Sequence, residues 1–259
     1  YGAGAANTSI ARLLIADGAD ARKMILFDVD GSLHDQRNDY RNDARFYPQW
    51  ELCKITNPHH IESEEDAFQD ADVLIALSKP GPDTVKPAWI SRMAAKAVVF
   101  VCANPVPEIY PYKAKEAGAF IVATGRGDFP NQVNNSICFP SILKGTLLVS
   151  ARKITDTMAI CAAHSIAAFA EKRGISPENI MPTMMESDVF PHVAADVAMQ
   201  AIREGVALSP KTWDEVYLLA KKDIDETQRM SELLLKNNFI HLLDDNLLHE
   251  ALQFAINNV

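Results

Sequence analysis

Three kinds of residue in this chain could do chemistry: glycines spaced for a phosphate, carboxylates at strand ends, and side-chain amides in turns. Tyr1-Gly-Ala-Gly-Ala-Ala-Asn7 is a Gly-x-Gly turn that runs into an apolar-periodic stretch. Gly2 permits a tight turn and Gly4 lets a pyrophosphate approach bare backbone. The N–H groups of Ala5 and Ala6, at a helix start, offer donors and a positive dipole end. Asn7 stands where a third glycine is usual; it either costs close packing or adds a phosphate contact. A strand belongs before Gly2, so the chain is expected to be a portion of something longer. Asp28 lies 21 residues beyond Asn7 (28 − 7), at the end of the apolar run Lys23–Phe27. A dinucleotide fold places an acid about 20 residues on, to accept the adenine-ribose hydroxyls.

The same carboxylate has a rival reading. Ile25-Leu-Phe-Asp-Val-Asp-Gly-Ser-Leu33 resembles the first motif of haloacid-dehalogenase-like phosphatases. There Asp28 would be the phosphoryl nucleophile and Asp30 the acid/base, both holding Mg²⁺. That motif normally opens its domain, whereas a glycine turn and a helix precede it here. Ser78 and Lys79 are adjacent instead of lying in separate motifs, and the later acidic pair Asp244-Asp245 falls in a helical stretch. The dinucleotide reading uses turn, strand and acid together. A non-catalytic nucleotide-sensing module is a third possibility.

The elements that must position these groups follow from the pattern. Asp72–Leu77, Ala97–Cys102 and Ala119–Ala123 are short apolar runs of strand length, as is Lys23–Phe27. They alternate with helical segments, the signature of a mostly parallel, doubly wound α/β sheet covered on both faces. Ligands gather at the carboxyl ends of such strands. The polar clusters after Phe27, Leu77, Cys102 and Ala123 stand at those ends. Ser63-Glu-Glu-Asp66 reads as a helix start. From Ser136 the chain is helical, with helices expected over Thr155–Lys172, Pro191–Glu204, Trp213–Lys236 and Leu242–Ile256. Two parts are expected: a cofactor domain over residues 1–208 and a helical tail over 209–259.

Composition limits the function classes. A net charge of −9 argues against nucleic acid or an anionic membrane as partner. No apolar run reaches the ~18 residues a transmembrane helix needs. The four cysteines lack zinc spacing; Cys102 and Cys138 sit in apolar runs, and buried thiols suit a reducing, cytoplasmic setting. His59-His60 has no carboxylate or cysteine framework in sequence and reads as solvated loop. His164 and His192 lie on helical stretches and are not expected to bind metal. Arg126 is either a surface charge or an anion contact.

Four separated motifs, in order, resemble the malic enzyme family, in its smaller prokaryote-type members. They are Ile55-Thr-Asn-Pro58, Ala103-Asn-Pro-Val-Pro-Glu-Ile109, Ala123-Thr-Gly-Arg-Gly-Asp128 and Asn131-Gln-Val-Asn-Asn135, the last followed by Phe139-Pro140. The resemblance covers residues 1–208 and implies a Rossmann-like cofactor domain. It implies that Gly2, Gly4, Ala5 and Ala6 hold the pyrophosphate and Asp28 the ribose. Ser78 would lie near the cofactor, with Thr124 and Gly125 at the nicotinamide end. Asn104 and Asn135 would hold malate, with Asn134 close by. The implied reaction is oxidation of malate by NAD(P), then decarboxylation to pyruvate with Mg²⁺ or Mn²⁺ holding the enolate. The family's base lysine, tyrosine and metal carboxylates lie upstream of the glycine turn, so this chain is expected to contain no catalytic or metal residues. Asp28 and Asp30, with the next basic residue at Arg37 on a loop, favour NAD over NADP. A two-fold homodimer is the simplest assembly.

Overall fold

The computed structural model describes residues 1–241 and 245–257. Helix α1 spans Ala5–Ala16, and its first turn follows directly from the glycine turn. Next comes a two-residue hairpin, β1 (Phe27–Asp28) against β2 (Gly31–Ser32). Short helices α2 (Asn38–Arg41), α3 (Tyr47–Cys53) and α4 (Glu64–Ala67) lead to strand β3, Val73–Ala76. Ser63 caps α4 by accepting the Asp66 N–H, as its sequence signature requires. Helix α5 (Pro87–Ile90), strand β4 (Val98–Val101), helix α6 (Pro111–Glu116) and strand β5 (Ile121–Thr124) complete the α/β part.

Strands β3, β4 and β5 form a parallel sheet in that order, with Val73 opposite Val98 and Val98 opposite Ile121. One face is dry: Leu74, Ala76, Val99, Val101 and Val122 bury against Trp89, Ile90 and Ala114. The sheet continues past β3 through the glycine turn. The Tyr1 main-chain nitrogen donates to Ile75 O at 2.6 Å, and Leu77 N donates to Tyr1 O at 3.0 Å. That is parallel pairing. Gly2 N and Ala3 N in turn donate to Phe27 O.

The expected strand over Lys23–Phe27 needs correction. It survives only as Phe27–Asp28, in the hairpin. Residues 24–26 are held instead by single bonds from loops, Leu33 N to Leu26 O at 2.8 Å and Asn57 N to Met24 O at 3.0 Å. Between them and β3 lies a groove of about 820 Å³, lined by Ile10, Leu14, Leu26, Ile75, Met93 and Phe100 among others.

Beyond β5 the chain is helical. Helices α7 (Phe139–Leu148), α8 (Asp156–Arg173), α9 (Val189–Arg203) and α10 (Trp213–Lys236) form a bundle, followed by α11 (Asp245–Asn257). The expected last helix began at Leu242, and residues 242–244 lie outside the described residues. Helix α9 is the bundle's centre: Val193, Ala194, Ala195, Val197, Ala198 and Ala201 are fully buried. Gly145 lets α7 lie close to it, since a Cβ there would stand 2.3 Å from Ala194 O. A reciprocal capping box, Thr212 with Glu215, starts α10. The bundle meets α1 through His164 Nε2 and Asp17 Oδ1, 2.8 Å apart. Among the described residues no helix is long and apolar enough to cross a membrane.

Candidate functional site

The site grows along the carboxyl edge of the sheet. Gly2 is glycine for internal reasons: its φ is +90°, and a Cβ would lie 2.7 Å from Leu77 O and 2.8 Å from Ser78 Cα. Gly4 is different. Its φ of −76° suits any residue, and nothing lies within 4 Å of where its Cβ would be. The chain itself therefore places no demand for glycine at position 4, and the space in front of it is open. Ala5 and Ala6 are exposed beside it. Helix α1 begins there with no side-chain cap and no acid in its first turn. Among the described residues nothing accepts from the N–H groups of Ala5, Ala6 and Asn7. Uncapped amides at a helix start, facing open space, are an anion site.

The side chain of Asn7 takes neither of the roles its position suggested. Its side chain turns inward and is 6% exposed. Nδ2 donates to Tyr1 O at 2.8 Å, Gly2 O at 3.2 Å and Ile75 O at 3.4 Å. The amide thus ties α1 to the glycine turn and to β3, work that a third glycine could not do.

Asp28 stands at the far end of this edge, and the structure corrects its surroundings. Arg37, expected on the following loop, donates to Asp28 through Nη2 at 2.7 Å and through Nη1 at 3.2 Å. Tyr40 Oη also donates to Asp28, and Asp30 N does so at 2.8 Å. Both side chains of the Asp28–Arg37 pair are nearly buried, at 8% and 10% exposed. Burial opposes ionisation of Asp28, but the bonds from Arg37, Tyr40 and the Asp30 N–H outweigh it and hold the carboxyl below its usual range. Burial, then the bond to Asp28, raises the Tyr40 phenol well above its ordinary value. Arg37 also bridges to Asp39 and stacks over the Tyr40 ring at 4.5 Å. The phosphatase reading fails on this geometry. Asp28 is committed to Arg37 and Tyr40 on a hairpin, and Ser78 is committed elsewhere.

Ser78 follows β3, and its partner was missed in sequence. Glu108, fully buried, accepts Ser78 N at 2.8 Å and Ser78 Oγ at 3.2 Å through one oxygen. Its other oxygen accepts Ala103 N at 3.1 Å. One carboxylate therefore fixes the loops after β3 and β4. The available signal was an acid closing the run Asn104-Pro-Val-Pro-Glu108.

Asn104 and Gly125 meet. A Cβ on Gly125 would stand 3.5 Å from both amide atoms of Asn104. Asn104 is exposed, its bond to Pro105 is cis, and its side chain has no hydrogen-bond partner among the described residues. Arg126 holds this pair of loops together. It clasps Asp128 at 2.7 and 2.6 Å and donates to Pro105 O at 2.7 Å. Thr124, expected at the nicotinamide end, is fully buried, and its hydroxyl accepts Arg126 N at 3.2 Å. It shapes the turn that presents Gly125. Val133 N donates to Thr124 O at 2.8 Å, which ties the approach to Asn134-Asn135 to the end of β5. Asn134 is a cap, accepting Ser136 N at 2.9 Å. The Asn135 amide is exposed and has no partner among the described residues.

A parallel sheet with a glycine turn, an uncapped helix start and polar groups on its carboxyl edge defines a dinucleotide-binding α/β domain. Residues 1–202 match the family described as malic enzyme, NAD binding domain, and the chain belongs to that family. It is 37% identical over 208 residues to an NAD-dependent malic enzyme of Geobacillus stearothermophilus, covering 80% of this chain and 41% of that protein. It is 34% identical over 242 residues to an NADP-dependent malic enzyme of Halomonas elongata, covering 83% and 54%. The solved structure of Entamoeba histolytica malic enzyme superposes with a TM-score of 0.97 at 56% identity, covering 99% of this chain and 53% of that one. The chain spans about half the length of the relatives it matches.

Proposed function

We propose that the protein to which this chain belongs carries out the oxidative decarboxylation of malate to pyruvate and CO₂ with reduction of NAD(P). Residues 1–208 serve as its cofactor domain and 209–259 as a helical tail. The observation that carries the reading is Gly4: nothing in the chain requires glycine there, yet the position opens onto three unpaired amides. A pyrophosphate fits that cradle, held by the N–H groups of Ala5, Ala6 and Asn7. When bound, the nicotinamide accepts a hydride from the substrate. Asp28 holds Arg37 and Tyr40 at the ribose end, and Arg37 takes a 2′-phosphate by giving up its bond to the half-exposed Asp39. That arginine removes the basis for favouring NAD, and the proposal is use of either cofactor. Ser78, held by Glu108, lines the path between the pyrophosphate and Gly125. Asn104 and Asn135 present free amides that donate to malate oxygens without changing the charge balance.

The catalytic divalent cation is a separate matter. Among the described residues the one cluster with three ligand groups is His34, Asp35 and His60, and two imidazoles do not suit Mg²⁺. We assign no step to that cluster. We place the general base and the metal carboxylates upstream of the glycine turn, as the family resemblance implies. Four free thiols fit a reducing cytoplasm, and a homodimer remains the simplest assembly.

The test is malate turnover by the full-length protein with Mn²⁺ and either cofactor, comparing wild type with Asn104→Ala and Asn135→Ala. A loss of kcat/KM for malate of about tenfold or more in each variant is expected. Unchanged kinetics would remove the two amides from the substrate site. No turnover with either cofactor would remove the activity.

A further inference from the structure

His34, Asp35 and His60 come from two loops 25 residues apart, yet their ligand atoms all lie within 4.8 Å of one another. The expectation that His59-His60 lacks a carboxylate framework therefore needs correction for His60. Asp35 Oδ1 stands 3.0 Å from His60 Nε2, and the rings of His34 and His60 stack with centroids 5.0 Å apart. We propose that these three side chains form a binding site for a borderline divalent cation of the Zn²⁺ class.

Three observations support the site. The first is a rigid scaffold. Asn57, 1% exposed, donates to Ser32 Oγ, Leu33 O and Ile61 O and accepts Ile61 N. One buried amide therefore pins the loop that carries His34 and Asp35 to the loop that carries His60. The backbone of His60 is held in the left-handed region, at φ 51°, with its N–H on Asn57 O at 3.1 Å. The second is the donor set. Two imidazoles and one carboxylate select Zn²⁺, Co²⁺ or Ni²⁺ over Mg²⁺ or Ca²⁺, and three protein ligands leave a position for water. Bonds of about 2.0–2.2 Å to such an ion set ligand atoms roughly 3.3 Å apart. Asp35 and His60 already stand at 3.0 Å, and a turn of the His34 ring out of its stack brings in the third ligand with no movement of the pinned backbone. The bond from Gln36 N to His34 Nδ1 is long, at 3.3 Å, and is readily exchanged for coordination. The third is charge. The cations lining the adjoining hollow, Arg22 and Lys54, are already paired with Asp20 and Glu51.

The bound ion would act on its neighbourhood. His34 and Asp35 lead directly to Arg37 and Tyr40, the two side chains that hold Asp28. An ion tying that loop to His60 would hold the adenosine end of the cofactor site in place.

The experiment is a titration of metal-stripped full-length protein with Co²⁺ and with Zn²⁺, in saturating Mg²⁺ so that hard-cation sites are filled. The readouts are the visible bands of histidine-bound cobalt and calorimetric stoichiometry. Wild type is expected to take one more equivalent than His34→Ala/His60→Ala, and Asp35→Asn to bind that equivalent at least tenfold more weakly. Zn²⁺ should slow proteolysis of the loop around Arg37 in wild type only. Equal stoichiometry and affinity in all three proteins, or displacement of the ion by Mg²⁺, would overturn the site. If the double variant does not fold, Asp35→Asn decides alone, because Asp35 is exposed and outside the core.

Discussion

Glu108 Oε1 accepts the backbone N–H of Ser78 at 2.8 Å, joining the ends of two strands that are neighbours in the sheet. The same carboxylate holds Ala103, the residue before Asn104, so the cofactor path and the proposed malate amide share one anchor. Glu108→Gln keeps the shape but exchanges one acceptor oxygen for a donor that faces an N–H. We expect a loss of stability of about 1–3 kcal/mol. We also expect KM for both cofactor and malate to rise, with kcat less affected. Chemical denaturation and steady-state kinetics check this; a variant with wild-type KM values would show that the anchor is structural only.

The two glycines of the turn separate fold from function. Gly2→Ala meets Leu77 O and Ser78 and sits at positive φ, so it should destabilise the domain by about 1–3 kcal/mol or more. Gly4→Ala has room and ordinary dihedrals, so its melting temperature should match wild type. Its NAD(P) affinity should fall by about tenfold, ~1.4 kcal/mol. Calorimetric titration alongside thermal melts distinguishes the two. Undiminished binding by Gly4→Ala would contradict the pyrophosphate cradle.

The Asp28–Arg37 pair predicts a pH dependence with a definite sign. The folded state holds the Asp28 carboxyl below its ordinary range, so the unfolded state takes up a proton first as pH falls. The pair's contribution is complete above about pH 4, near the ordinary aspartate value of about 3.9, and is lost on further acidification through the folded value. Wild type should exceed Asp28→Asn in stability near neutrality and converge on it in acid. Parallel denaturant curves across that range measure the difference, and a constant gap would deny the linkage.

Arg37 also separates the cofactors. Arg37→Ala should raise KM for NADP about tenfold more than KM for NAD, because only NADP brings a 2′-phosphate to the guanidinium. Equal changes for the two would place the 2′-phosphate elsewhere.

The thiols should be sluggish. Burial pushes Cys53 and Cys102 up to about 11. At pH 8 that leaves on the order of a thousandth of each as thiolate, the nucleophilic form. Disulfide-exchange reagents should label both slowly in the native protein and quickly after denaturation. Rapid native labelling at Cys102 would mean that the strand-end loops open often.

How far the sequence could be read depended on whether a group's role was local. Gly2, the apolar strands and the caps at Ser63 and Thr212 are set by neighbours a few residues away, and spacing reveals them. The alternation of strands and helices gave the parallel sheet for the same reason. Arg37 on Asp28, Glu108 under Ser78, and Asp35 beside His60 are meetings of loops, and no periodicity records which loops meet. Asn7 shows the limit most plainly. Its position in the motif pointed to phosphate or packing, whereas its amide serves three carbonyls, one of them in a strand 68 residues away. The Lys23–Phe27 run has the composition of a strand, but before Phe27 its main chain meets single bonds from Leu33 and Asn57 and not a ladder.

The groove beside Tyr1 bears on handling the polypeptide. It leaves the β3 edge at Val73, 53% exposed, next to an apolar trough that contains Ile75, Phe100 and Leu14. An uncovered strand edge flanked by wet apolar side chains is a template for self-association. A lysine placed at Val73 should therefore lower any concentration dependence of light scattering, with the helix content unchanged.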